Sequence, residues 1–240
     1  MEQSINLQSR TIGEIARYNT NTISVFRKYG IDFYCKGKQL LGEACAASGC
    51  SESDVLSDLE NISSNLDPNQ NFNDWSIDAL IEYIIANHHQ HVNKTVPEIV
   101  VLFKTVLADS SIKSADLIRV SEIFRLLGND MKQHMQKEEL GLFPAMKKLE
   151  AIRLNETNTN SASVQSLITV VEMEHDTSGI MLKQISGLFE RIINADCISN
   201  DLTLLTSKMK EFESDLIMHI HVENNVLHKK AIELEQALMN

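Results

Sequence analysis

The 240-residue chain has few of the residues that interrupt helices, with three prolines and nine glycines. Proline removes a backbone donor and clashes with the preceding turn, and glycine costs entropy in a helix, so their scarcity leaves room for long helices. No apolar run approaches the roughly 18 residues that a bilayer-spanning helix needs. The amino terminus, Met1 to Asn6, has neither a basic region nor an apolar signal core, so a cytoplasmic protein with no membrane partner is expected. Positive charge is also short: 22 Lys and Arg stand against 33 Asp and Glu, a net of −11, which argues against a nucleic-acid partner. The four cysteines, Cys35, Cys45, Cys50 and Cys197, show no C-x-x-C spacing, so free thiols are expected. The rest, 43% hydrophobic and 23% charged, suffices for one large or two small packed domains.

What is present is a repeated histidine pattern. His134-Met-Gln-Lys-Glu138 has an echo in His219-Ile-His-Val-Glu223, and in a helix residues four apart lie one above the other on one face. Another histidine precedes each pair at nearly the same distance: His89 stands 45 residues before His134, and His175 stands 44 before His219. Internal repetition of this kind marks one structural unit used twice. It selects four histidines and two carboxylates, although His88, at a spacing of 46, fits nearly as well as His89.

The surrounding periodicity supplies the scaffold. Thr11 caps a helix expected to run through Ile15, Ile23 and Phe26 to Tyr29 with Gly30 as terminator, followed by a turn in which Cys35 sits between Phe33-Tyr34 and two lysines. Neighbouring positive charge favours a thiolate there. Short helices are expected over residues 39–47 and from Ser51 onward. Residues 63–74 are rich in Asn, Ser, Asp and Pro and lack a hydrophobic period. The domains are therefore placed at 1–65, a small helical Cys-containing unit; 66–75, a linker; and 76–240, a four-helix bundle.

Four amphipathic stretches fill the last of these. The first contains Ile77, Leu80, Ile81, Ile84, Ile85, His88 and His89 and is expected to kink or restart at Pro97. The second opens at Ser114 and carries Val120, Ile123, Leu127, Met131, His134 and Glu138, with its end bent at Pro144. After a polar loop at 153–163, the third runs from 164 to 193 with Leu167, Val171, His175, Ile180 and Leu182 as its markers. The fourth covers 202–238 through Leu205, Met209, Phe212, Leu216, His219, Glu223 and Leu227. The expected fold is all-α, an antiparallel up-down-up-down bundle with polar ligands projecting into its core.

Glu138 shares its face with apolar residues, and a buried carboxylate needs a strong partner, of which a metal ion is the strongest. Two ions about 3.5 to 4 Å apart can each take two histidines and share both glutamates. Imidazole and carboxylate together suit iron, manganese or zinc. Two divalent ions with two carboxylates leave a charge of about +2, which favours binding and releasing small ligands and ions over stabilising high-valent metal.

Several segments resemble the repair-of-iron-centres family, whose carboxy-terminal part is a hemerythrin-like di-iron bundle. They are Phe26-Arg-Lys-Tyr29, Asp32 to Gln39, Ile84 to His89, His134 to Phe143, Glu174-His-Asp176 and His219 to Leu227. The resemblance implies His89, His134, His175 and His219 as ligands, selecting His89 over His88, with Glu138 and Glu223 bridging. It places Glu174 beside the metals as a residue moving protons or iron, and Cys35 as a relay or docking thiol. Two departures stand out: the family's paired cysteines read Tyr34-Cys35, and its Leu-Phe-Pro reads Leu227-His228-Lys229.

The implied cofactor is two iron ions, oxo- or hydroxo-bridged when oxidised. The implied activity is repair of iron-sulfur clusters damaged by nitric oxide or peroxide, through iron donated from the labile centre. Its partners are proteins with damaged clusters and small ligands such as nitric oxide or oxygen, and a homodimer is left open. Iron donation is preferred to turnover. The alternatives are a di-iron reductase of nitric oxide or peroxide and, with less support, an oxygen or redox sensing or storage module, against which four histidine ligands count.

Overall fold

The computed structural model describes residues 7–62, 72–109, 114–154, 163–193 and 199–239. Most of the expected linker at 66–75, most of the polar loop at 153–163 and Cys197 lie outside the described residues. The fold is all-helical, an antiparallel four-helix bundle preceded by a small helical section, and among the described residues the only pairing of extended backbone is a single antiparallel bridge between Thr11 and Leu40. None of the described helices is long and apolar enough to cross a membrane. The chain divides into two compact units, residues 1–80 with 220–240, and residues 81–219.

In the first unit, Thr11 and Glu14 form a capping box at the start of α1 (Ile12–Tyr18), the Thr11 N–H donating to Glu14 Oε2 at 3.0 Å. The expected single helix to Tyr29 is broken at Asn19, whose backbone is extended (φ −146°, ψ 98°). Its side chain accepts the N–H of Asn21 at 3.1 Å. A short polar side chain thus competes with the helical ladder for backbone groups, and the helix stops. The chain makes one tight turn before α2 (Ile23–Lys28). Gly30, with φ 66°, takes the left-handed conformation that follows it. Then come α3 (Leu41–Ser48) and α4 (Glu52–Glu60), the latter capped by Ser51. Phe26 and Phe33 stack at 5.7 Å in this unit's core.

The first bundle helix consists of α5 (Ile77–Tyr83), a π-helical turn π1 (Ile84–His89) and α6 (Gln90–Ala108). Pro97 does not restart the helix: α6 runs through it as one element, and a change in winding comes at π1. The second consists of α7 (Ala115–Lys137), π2 (Glu138–Leu142) and α8 (Phe143–Arg153). Pro144 sits in the first turn of α8, and the helix continues to Arg153. It has no N–H to give Leu140, and the wide turn π2 lies where that bond is missing. The third is α9 (Val164–Ile193). The fourth consists of α10 (Asn200–His221), π3 (Val222–Leu227) and α11 (His228–Met239).

The buried face of α9 runs through Val164, Ile168, Val171, His175, Ser178, Leu182, Ile185, Phe189 and Ile192, in alternating steps of four and three residues. The expected markers Leu167 and Ile180 stand off this face, 37% and 59% exposed. In the core of the second unit α6, α7, α9 and α10 each contribute one phenylalanine: Phe103, Phe124, Phe189 and Phe212. Phe124 lies 5.7 Å from Phe103 and 5.2 Å from Phe212. A fully buried side chain of this size contributes about 1.5–3 kcal/mol.

Candidate metal centre

The six residues that the resemblance implies as ligands come together. Within the described residues His89, Glu138, His219 and Glu223 form one group, and His134, Glu138, His175 and Glu223 form another. In each, one ligand atom per residue lies within 4.8 Å of all the others. His89, His134, Glu138, His175, His219 and Glu223 are all buried, none more than 2% exposed.

The position of each donor follows from its helix. His134 lies in the last turn of α7, and Glu138 one turn later opens π2, so His134 Nε2 stands 3.3 Å from Glu138 Oε2. His89 closes π1 and brings its Nε2 to 3.4 Å from the same oxygen. His175, midway along α9, points its Nε2 at that of His134, 2.9 Å away. Three of the six donors thus fall in π turns, which are wound by i→i+5 bonds and recur at functional sites.

Outer contacts set the ring tautomers. His134 Nδ1–H donates to Glu174 at 2.9 Å and His89 Nδ1–H donates to Glu139 at 2.7 Å, leaving each Nε2 with its lone pair directed inward. This carboxylate–histidine arrangement orients a metal ligand and raises its basicity. Glu174 is also ion-paired with Lys137. Burial acts to raise the Glu174 carboxyl, but the bonds from Lys137 and His134 outweigh it and hold the group below its ordinary value. A cavity of about 200 Å³ lies against this pair, lined by Asp130, Gln133, His134, Lys137, Glu174 and Thr177.

Glu138 fits the donor set to a metal ion. Its carboxylate is fully buried, neither oxygen has a hydrogen-bond partner among the described residues, and two imidazole nitrogens face Oε2. An anion so placed is costly unless a cation joins it.

Glu139 was not visible as a contributor in the sequence, where the Glu138-Glu139 doublet was its only trace. Asp215 was also missed: it holds His88 Nδ1 at 2.9 Å, while the His88 ring lies parallel to His219 with centroids 5.4 Å apart. His88, His221 and His228 are buried packing residues, so the Leu227-His228 departure keeps a ring in the core. Burial, helped by Lys229, lowers His221 to about 3, and its ring stays neutral. Cys35, half-buried, has its N–H held by Asp32 at 3.0 Å. Among the described residues Cys35, Cys45 and Cys50 form no disulfide.

The comparison with known families decides the kinship. The hemerythrin HHE cation-binding domain model matches residues 79–231. The chain belongs to the hemerythrin HHE family. In that family's bundle the histidine and glutamate cluster described above fits a cation site. A second model, ScdA_N, described as a domain of unknown function (DUF542), matches residues 8–63 ahead of the hemerythrin domain. Two relatives are named iron-sulfur cluster repair protein YtfE. That of Pectobacterium atrosepticum is 26% identical, over 95% of this chain and 99% of its own length; that of Dickeya chrysanthemi is 27% identical, over 96% and 100%. The resemblance to the repair-of-iron-centres family is thereby borne out.

Proposed function

We propose that this protein repairs iron-sulfur clusters damaged by nitrosative or oxidative stress, handing on iron from a labile centre of two ions. One observation carries the reading: two donor groups share Glu138 and Glu223 and add a different histidine pair each, in a chain related over nearly its full length to iron-sulfur cluster repair proteins. Iron is the cargo. Each ion takes two imidazoles and the shared carboxylates, a set that binds iron and leaves positions for incoming ligands.

The chain's own residues give the release chemistry. Glu139 and Glu174 keep the Nδ1 protons of His89 and His134, so both Nε2 atoms remain donors. A proton that reaches Nε2 ends its lone-pair donation, and metal affinity falls as ligands are protonated. The polar cavity beside Glu174 and Lys137 gives ions and water an approach to His134. Proteins with damaged clusters are the partners, and the proposed setting is the cytoplasm.

The test is reactivation of a nitric-oxide-damaged iron-sulfur dehydratase by the iron-loaded protein, counting iron per chain before and after. Recovery of activity matched by loss of iron from the protein is expected. Retention of both ions with consumption of nitric oxide and no recovery would replace donation by a di-iron reductase.

A further inference from the structure

The turn around Cys35 is the motif that the metal centre does not use, and the turn that carries Glu223 grips its backbone. In π3, Asn225 Nδ2 donates to the Phe33 carbonyl at 2.9 Å and to His221 Nδ1 at 3.0 Å. Asn224 Nδ2 donates to the Tyr34 carbonyl at 3.0 Å. A carbonyl only accepts, so Phe33 settles which way the Asn225 amide points. His221 must then offer a lone pair at Nδ1 and carry its ring proton on Nε2. The His221 ring also meets the Phe33 ring, with centroids 5.4 Å apart.

Two glycines wall the other side of the amide. A Cβ built at Gly13 or at Gly37 would stand 2.2 Å from Asn225 Oδ1, so neither position has room for a side chain. Gly13 N–H donates to the Gly37 carbonyl at 2.9 Å, which brings the start of α1 and the end of the Cys35 turn onto the same amide. Asn225 is 2% exposed, so any shift of residues 33–37 strands buried donors. His221 and Asn225 bracket Glu223 along the helix.

We propose that Asn225 is a positioning residue through which the Cys35 turn sets the place of the Glu223 carboxylate, so that displacing the turn speeds the loss of metal. The second half of this inference rests on the metal reading above; the first half does not. A client protein that engages the Cys35 turn thereby gains a lever on the centre without touching a ligand.

Gly37→Ala and Asn225→Asp test it in the full-length chain. The first drives a Cβ into the amide from a position far in sequence from every ligand; the second keeps the shape of Asn225 and removes its donors. Gly42→Ala, whose Cβ would meet only the flexible Glu52 carboxylate, is the control. In metal-free protein the amides of residues 221–227 should exchange with deuterium at least about tenfold faster in both variants than in wild type, with helix content unchanged. In Fe(II)-loaded protein, transfer of iron to a chromogenic chelator should accelerate at least about tenfold, the lower end of outer-contact effects on metal sites.

Wild-type exchange in both variants overturns the clamp, and faster exchange with wild-type iron release overturns its link to the metal. A wild-type chain that binds no iron removes the metal reading and leaves the exchange result to decide the clamp. Should the two variants fail to fold, Asn224→Ala decides in their place: it removes the bond from a half-buried side chain to Tyr34. Faster exchange over 221–227 then supports the proposal, and wild-type exchange overturns it.

Discussion

At the scale of single residues, the centre is a set of costs that a cation offsets. Glu138 has no hydrogen bond among the described residues, yet it is wholly buried. In metal-free protein such a group destabilises the fold by about 1–3 kcal/mol. Replacing it with leucine, similar in size and apolar, should therefore stabilise the metal-free protein by about that amount while removing metal from both donor groups. Urea unfolding of the metal-free proteins and metal counting on the loaded ones should move in opposite directions. A Glu138→Leu variant that is less stable without metal would mean that the carboxylate has a structural partner. Glu139 and Glu174 work differently: each is partly exposed, and each reaches the cluster through the Nδ1 of a buried histidine.

At the scale of elements, helices meet where the sequence offers small residues, and they widen where it offers ligands. Gly128 on α7 lies under Val96 on α6, and a Cβ there would come within 2.6 Å of Val96 Cγ1. The valine is stiff at χ1 and cannot easily turn away. Gly128→Ala should destabilise the protein by about 1–3 kcal/mol through overpacking, and Val96→Ala added to it should recover most of the loss. Thermal unfolding of the single and double variants measures both. Equal destabilisation with and without Val96→Ala would show that the helices part at some other contact. The π turns explain why neighbouring residues can serve separate tasks: Glu138 faces the imidazoles of His89 and His134 while Glu139 orients His89, and His88 meets Asp215 while His89 faces Glu138.

At the scale of the molecule, a metal ion held by the six buried residues of the proposed centre would add to the stability of the fold. A ligand that binds only the folded state at 1,000 times its dissociation constant adds about 4 kcal/mol. Stripping metal with a chelator should lower the melting temperature of the wild-type chain, and the shift should grow with the concentration of free metal before stripping. Glu138→Leu should melt at one temperature with or without chelator. A wild-type chain equally insensitive would show that the donors form a network satisfied by itself. Surface charge adds little to this balance, since exposed ion pairs such as Arg191 with Asp116 are screened by water and salt.

The sequence alone determined the helical class, the four amphipathic stretches and the candidate histidines and glutamates, because helical spacing and a repeat of about 45 residues are properties of order along the chain. It also determined the resemblance that separates His89 from His88. Only the tertiary structure decided which rotation α9 adopts, since Leu167 and Ile180 are as apolar as the residues that the core chose. The same holds for the π turns, the pairing of Glu139 with His89 and the closure of Gly13 and Gly37 on Asn225. Each of these joins residues through space, by a missing hydrogen bond, a tautomer or an absent Cβ, and none has a period that the order of residues could display.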